Sequence, residues 1–226
     1  MSLALGFDVY GTLVDPLQLD RHLEPLAGDR AGEFARQWRT TQLEYTFRRS
    51  LMRDYANFDV CTEDALRYTL DVFDIDAGED EIADLLGHYR KLDPYPEVIS
   101  GLERLKERGH SLFAFSNGTP ASLESLLSHA GILDHLEAII SVDAVGTYKP
   151  DPAVYRHLGS RAGRSLSRTW LVSSNYWDVM GAKAAGLQAA WVRRSPANVP
   201  DPWGMEPDLI TPDLDELAEE LASAVN

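Results

Sequence analysis

One cysteine, Cys61, stands in a chain of 226 residues, which excludes an internal disulfide framework. A reducing compartment, the cytoplasm, is the matching expectation. No apolar run approaches the roughly 20 residues that span a bilayer, so no membrane is expected among its partners. The opening residues Met1 to Asp8 lack the basic segment of a signal peptide. Positive charge is also scarce. Lysine occurs only as Lys91, Lys106, Lys149 and Lys183, and the formal net charge of −15 argues against binding a nucleic-acid backbone. An anionic ligand would have to be drawn in by a few local cations, so a lysine placed in a turn stands out. The acidity as a whole is most simply a matter of solubility or adaptation to salt. The six histidines show no metal-ligand spacing, and the chain contains neither repeats nor low-complexity stretches.

What remains is an ordinary globular composition, 44% hydrophobic and 25% charged, long enough for one core carrying a smaller inserted domain. Leu3–Phe7 is a short apolar run ending in Asp8-Val9-Tyr10-Gly11-Thr12, the pattern of a strand emptying into a glycine turn. From about residue 15 to residue 93 the pattern is helical. Apolar residues recur at helical spacing over Ala31–Met52, Thr62–Phe73 and Asp80–Tyr89, with no convincing strand. After Pro94, helices expected at 97–108, 120–130, 151–162 and 177–185 alternate with strands at 111–115, 137–141, 169–173 and 187–192. A short strand at 208–211 and a helix from Asp213 complete the chain. The expected fold is therefore α/β, a doubly wound parallel sheet (a Rossmann-like core) with an inserted all-helical cap domain. The domain bounds are 1–14 and 95–226 for the core and 15–94 for the cap.

In such sheets ligands bind beyond the carboxyl ends of the strands. Four strand ends here carry polar groups: Asp8, then Ser116-Asn117, then Tyr148-Lys149-Pro150, and Ser173-Ser174-Asn175 with Asp178. Each has an ordinary explanation. Asp8 could cap a turn, Thr119-Pro120 is a good helix start after Asn117-Gly118, Lys149-Pro150-Asp151 could be a plain loop, and Asp178 could bias a helix N-terminus. Their arrival at one rim of one sheet is harder to explain that way.

Asp8-Val9-Tyr10-Gly11-Thr12-Leu13, Ser116-Asn117-Gly118, Tyr148-Lys149-Pro150 and Asp178 resemble the four motifs of the haloacid dehalogenase superfamily, over nearly the whole chain. Phosphatases of that superfamily keep an acid two places after the nucleophile and a magnesium-ligating Asp four places before the position of Asp178. Tyr10 and Ser174 stand there instead. Phosphoryl transfer needs the cation and the acid, whereas a halide leaves carbon without a proton. The fuller resemblance is to the L-2-haloacid dehalogenases (type II). It is carried also by the Trp38-to-Thr46 segment with Arg39, 31 residues after Asp8, by Tyr155, by Ser173-to-Asp178, and by Arg193-Arg194-Ser195-Pro196 leading to Asp208.

That resemblance implies an (S)-2-haloacid dehalogenase with no metal and no cofactor, acting on a small anionic 2-haloacid and releasing halide. It makes Asp8 the nucleophile, oriented by Thr12 and Ser173 and paired with Lys149. Asp178, with Asn175, would activate water. Arg39, helped by Asn117, would receive the halide or the substrate carboxylate. Ser116 and backbone amides near Tyr10, Gly11 and Leu13 would bind the carboxylate. Tyr10, Leu43, Phe58 and Trp177 would wall the reacting carbon, and Tyr155 would support Lys149 or line the pocket. A homodimer is the expected assembly, with Trp38, Tyr45 and Phe47 as exposed aromatics that could serve it or pack the cap. The rival readings are a phosphatase of the same fold and a catalytically silent ligand-binding homologue.

Overall fold

Short apolar runs buried along nearly their whole length form the four inner strands, as a sheet covered on both faces requires, and the two edge strands are partly exposed. The computed structural model describes residues 2–224. Its strands are β1 (Ala4–Phe7), β2 (Ser111–Ser116), β3 (Ala138–Ser141), β4 (Thr169–Ser173), β5 (Gln188–Val192) and β6 (Leu209–Thr211). They form one sheet in the order β3-β2-β1-β4-β5-β6, and every pairing is parallel. Winding runs outward in both directions from β1 and β4, so the topological switch point lies between those two strands.

Between β1 and the next core helix the chain is all helical: α1 (Asp20–Ala27), α2 (Ala31–Met52), α3 (Phe58–Phe73) and α4 (Glu79–Tyr89). Helix α1 was not expected. Pro25 lies inside it and Gly28 ends it, two breaker signals that mask a short helical run. Helix α3 starts four residues before the expected Thr62, because Asn57 caps it by accepting from the Val60 N–H at 3.1 Å. The chain leaves for this insert and returns from it side by side. Val14 and Pro94 form an antiparallel bridge, and the Tyr95 N–H donates to the Leu13 carbonyl at 3.1 Å.

The remaining helices are α5 (Val98–Glu107), α6 (Pro120–His129), α7 (Pro152–Arg161), α8 (Tyr176–Ala184) and α9 (Leu214–Ala224). Helix α5 packs on α9 and α7 packs on α8. Right-handed crossovers put these pairs on opposite faces of the sheet. Most core boundaries fall within one residue of expectation, and most of the helix offsets are cap residues counted as helix. Asp151, for example, accepts from the Ala153 N–H at 2.8 Å instead of opening the helix. Trp38, expected at the surface, is 2% exposed, and its indole N–H donates to the Thr62 carbonyl at 2.9 Å. Tyr45 and Phe47 are half-buried, their rings edge-on to Tyr68 and Trp177.

Candidate active site

Asp8 immediately follows β1, its N–H continuing the ladder to the Val172 carbonyl at 2.9 Å. The chain then turns back sharply: Gly11 N–H donates to Val14 O (2.7 Å) and Leu13 N–H to Val9 O (2.9 Å). Gly11 sits at φ +90°, where a side chain would be strained. The turn carries the Thr12 hydroxyl back to Asp8 Oδ2 at 3.0 Å. From β4, across the switch point, come the Asn175 side-chain amide at 2.7 Å and the Ser173 hydroxyl at 3.4 Å, both donating to the same oxygen. Asn175 occupies the N-cap position of α8 without capping it, because its amide is turned to Asp8 and to the Tyr10 carbonyl.

The other oxygen, Asp8 Oδ1, faces Lys149. This lysine is 1% exposed, and its ammonium donates to Asp8 Oδ1 (3.0 Å), Asp178 Oδ2 (2.9 Å) and the Phe115 carbonyl (2.8 Å). Three donors thus meet three acceptors. Asn117 Oδ1 accepts from the Lys149 backbone N–H at 3.1 Å and so anchors the lysine turn. Burial disfavours the ammonium, but the Asp178 and Asp8 charges outweigh it and hold the Lys149 pKa above its ordinary value. Burial pushes the Asp178 carboxyl up; Asp8 adds to the rise, and Lys149 and Tyr155 oppose it. Two carboxylates sharing one ammonium out of water are a costly arrangement for stability alone. Tyr155 donates to Asp178 Oδ1 at 2.6 Å, and burial keeps its phenol protonated. A side chain at position 181 would collide with that phenol and with Pro150, which accounts for Gly181.

Above this cluster lies a small pocket lined by Asp8, Tyr10, Arg39, Leu43, Phe58, Ser116, Asn117 and Trp177. Arg39 projects from α2, donating to Gln42 Oε1 at 2.6 Å and lying 5.7 Å from the centre of the Tyr10 ring. Tyr10 packs on Phe58 and Tyr89 at centroid distances of 5.5 and 5.3 Å, and burial pushes its phenol well above the usual range. The lining combines apolar side chains with one carboxylate and one guanidinium fork. It suits attack by a desolvated carboxylate on a small anionic molecule.

Residues 3–186 match the model of the haloacid dehalogenase-like hydrolases. The chain belongs to that family. It is 40% identical over 204 residues to (S)-2-haloacid dehalogenase of Pseudomonas sp. (strain YL), covering 90% of this chain and 88% of that protein. It is 36% identical over 220 residues to haloacetate dehalogenase H-2 of Moraxella sp. (strain B), covering 97% of each. The structure of L-2-haloacid dehalogenase from Xanthobacter autotrophicus with chloropropionic acid covalently bound superposes with a TM-score of 0.93 at 31% identity, over 98% of this chain and 99% of that one.

In this haloacid dehalogenase-like hydrolase the structure brings together Asp8, Thr12, Arg39, Lys149, Ser173, Asn175 and Asp178, with Tyr10, Leu43, Phe58, Ser116, Asn117 and Trp177 around them. Three expectations need correction, those for Gly11, Leu13 and Tyr155. Gly11 and Leu13 do not offer free amides, since both N–H groups are spent inside the turn, and Leu13 is fully buried in the core. Tyr155 is not part of the pocket lining and makes no hydrogen bond to Lys149; it stands behind Asp178, which links it to that lysine. Ser174 has a structural task at the position where the family's phosphatases keep a metal ligand: its hydroxyl donates to the Gly11 carbonyl and its N–H to Thr12 Oγ1 at 2.8 Å. Among the described residues no three His, Cys, Asp or Glu side chains gather as a metal site. Sequence reasoning missed Gln42 and Tyr89, which fix Arg39. Gln42 accepts from both, at 2.6 and 2.9 Å, and donates to Thr62 at 2.6 Å. The helical i, i+3 spacing of Arg39 and Gln42 was the available signal.

Proposed function

We propose that this chain hydrolyses small L-2-haloalkanoic acids to D-2-hydroxyalkanoic acids through an ester on Asp8, without a metal ion. The observation that carries the reading is the unequal treatment of the two Asp8 oxygens. Oδ1 has Lys149 alone, whereas Oδ2 receives three donors. Oδ1 attacks C2 from the side opposite the halogen. The carbon–halogen bond breaks with its electron pair on the halide, and C2 inverts. Water then adds to the ester carbonyl carbon of Asp8. Negative charge builds on Oδ2, where Thr12, Asn175 and Ser173 already point their donors. Asp178, its carboxyl held high by burial, takes the water proton, and the alkoxide leaves as the hydroxy acid once protonated. The product oxygen is one of the original Asp8 oxygens.

Arg39 and Asn117 receive the departing halide, and Ser116 holds the substrate carboxylate. The covalently bound chloropropionic acid of the Xanthobacter enzyme supports an ester of this kind. Residues 15–94 act as a cap over a core of 1–14 and 95–226, a division supported by the Val14–Pro94 bridge where the two crossings meet. A homodimer is supported by exposed Leu51 and Trp203 along an apolar groove, and a cytoplasmic setting by the single, buried, unpaired Cys61. No helix among the described residues is long and apolar enough to cross a membrane.

Halide release from L- and D-2-chloropropionate, with and without EDTA, tests the reading. Turnover of the L isomer alone, at a rate EDTA leaves unchanged, is expected. Loss of the rate with chelator, or magnesium-dependent phosphate release from a generic ester, would favour the phosphatase.

A further inference from the structure

Arg194 follows β5 and belongs to none of the groups that touch Asp8, yet it is held unusually firmly. One guanidinium nitrogen donates to the Thr12 carbonyl, and the other pairs with Glu97 Oε1 at 2.8 Å. The guanidinium carbon lies over the Tyr95 ring, 3.7 Å from its centroid. Its Nε is the one buried side-chain polar atom without a partner among the described residues. An orphaned buried N–H calls for an explanation. The one that fits is that the planar fork is placed by its two outer nitrogens and by Tyr95, with Nε sacrificed to that placement.

The three contacts fall on two segments. Thr12 belongs to the nucleophile turn as the chain leaves for the helical insert, and Tyr95 and Glu97 lie where it returns. The segments are already joined by the Tyr95 N–H to Leu13 carbonyl bond. Thr12 is also the residue whose hydroxyl meets Asp8 Oδ2 at 3.0 Å. We infer that Arg194 is a positioning residue that fastens the nucleophile turn to both crossings of the chain, fixing the Thr12 hydroxyl on Asp8 and the seating of the insert together. The catalytic half of this inference rests on the proposed dehalogenation; the mechanical half does not.

The test uses the full-length Arg194→Lys and Arg194→Met variants, with steady-state kinetics on L-2-chloropropionate and amide hydrogen exchange of the native protein. A lysine keeps the charge but cannot lie flat on Tyr95 while reaching two acceptors. Both variants should exchange the Tyr95 and Gly11 amides at least about tenfold faster, with β1 and β4 unchanged. Both should lose about tenfold to a hundredfold in kcat with KM nearly constant, because displacement of the turn acts on reaction geometry more than on binding. If Arg194→Met does not fold, Arg194→Lys alone decides. Wild-type exchange at Tyr95 overturns the inference whatever the kinetics. Fast exchange with wild-type kcat overturns it too. Should the wild-type protein release no halide, the dehalogenase reading fails, and the exchange result still decides whether the clamp exists.

Discussion

The Lys149 ammonium lies 3.0 Å from Asp8 Oδ1, and neither side chain is more than 9% exposed. The lysine's pKa is held above 10.5, so its charge is present throughout the neutral range. The stability it brings is complete below that value and is lost only as pH climbs through the folded-state pKa. Lys149→Met should leave Asp8 and Asp178 as two buried carboxylates facing each other. A loss of about 3 kcal/mol in urea unfolding at neutral pH is expected, as for breaking a buried ion pair. Turnover should fall by about a thousandfold or more. A variant that unfolds with the wild-type midpoint would show that the triad is not charged as described.

Asp178 is linked to pH in the same sense but from a lower starting point. Its carboxyl is raised above 3.8 by burial, with the Asp8 charge adding to the rise. The folded chain therefore binds this proton more tightly than the unfolded chain, and the group's contribution to stability falls as pH rises above 3.8 through the raised value. Asp178→Asn should abolish steady-state turnover while gaining stability relative to wild type as pH rises above 3.8. Unfolding midpoints across that range provide the measurement. A variant that loses ground with rising pH would contradict the assignment.

Arg39 depends on its fork. With Gln42 accepting at 2.6 Å and the Tyr10 carbonyl and ring beside it, the guanidinium is oriented before any ligand arrives. Arg39→Lys keeps the charge and loses the orientation. A fall in kcat of about a hundredfold is expected, the size seen when one preorganised donor is removed. Stopped-flow halide detection would show it in the first, ester-forming step. An unchanged rate of that step would remove Arg39 from the halide's path.

The sheet was legible because its strands are short buried apolar runs set off by glycines, and because Thr119 and Asp151 announce helix starts. Asp8, Lys149 and Asp178 were legible as residues at strand ends. Their roles became readable through two substitutions, Tyr10 and Ser174, and not through their own chemistry. What stayed hidden depends on distant partners. Trp38 looked like a surface aromatic because the Thr62 carbonyl that satisfies its indole is 24 positions away. Tyr155 was misplaced because its phenol chooses Asp178 over Lys149, a matter of ångströms. The Gly11 and Leu13 amides were miscounted because the turn closes on itself. Arg194 stood out only within the Arg193-to-Pro196 segment of the resemblance, and its contact with Thr12, 182 positions away, left no local pattern.

The most direct test of an ester on Asp8 is a single turnover with excess enzyme in oxygen-18 water, followed by mass spectrometry of the peptide containing Asp8. Label in the Asp8 carboxylate, with unlabelled 2-hydroxypropionate as product, is expected. Label in the product and none in Asp8 would mean that water attacks carbon directly, and Asp8 would not be the nucleophile.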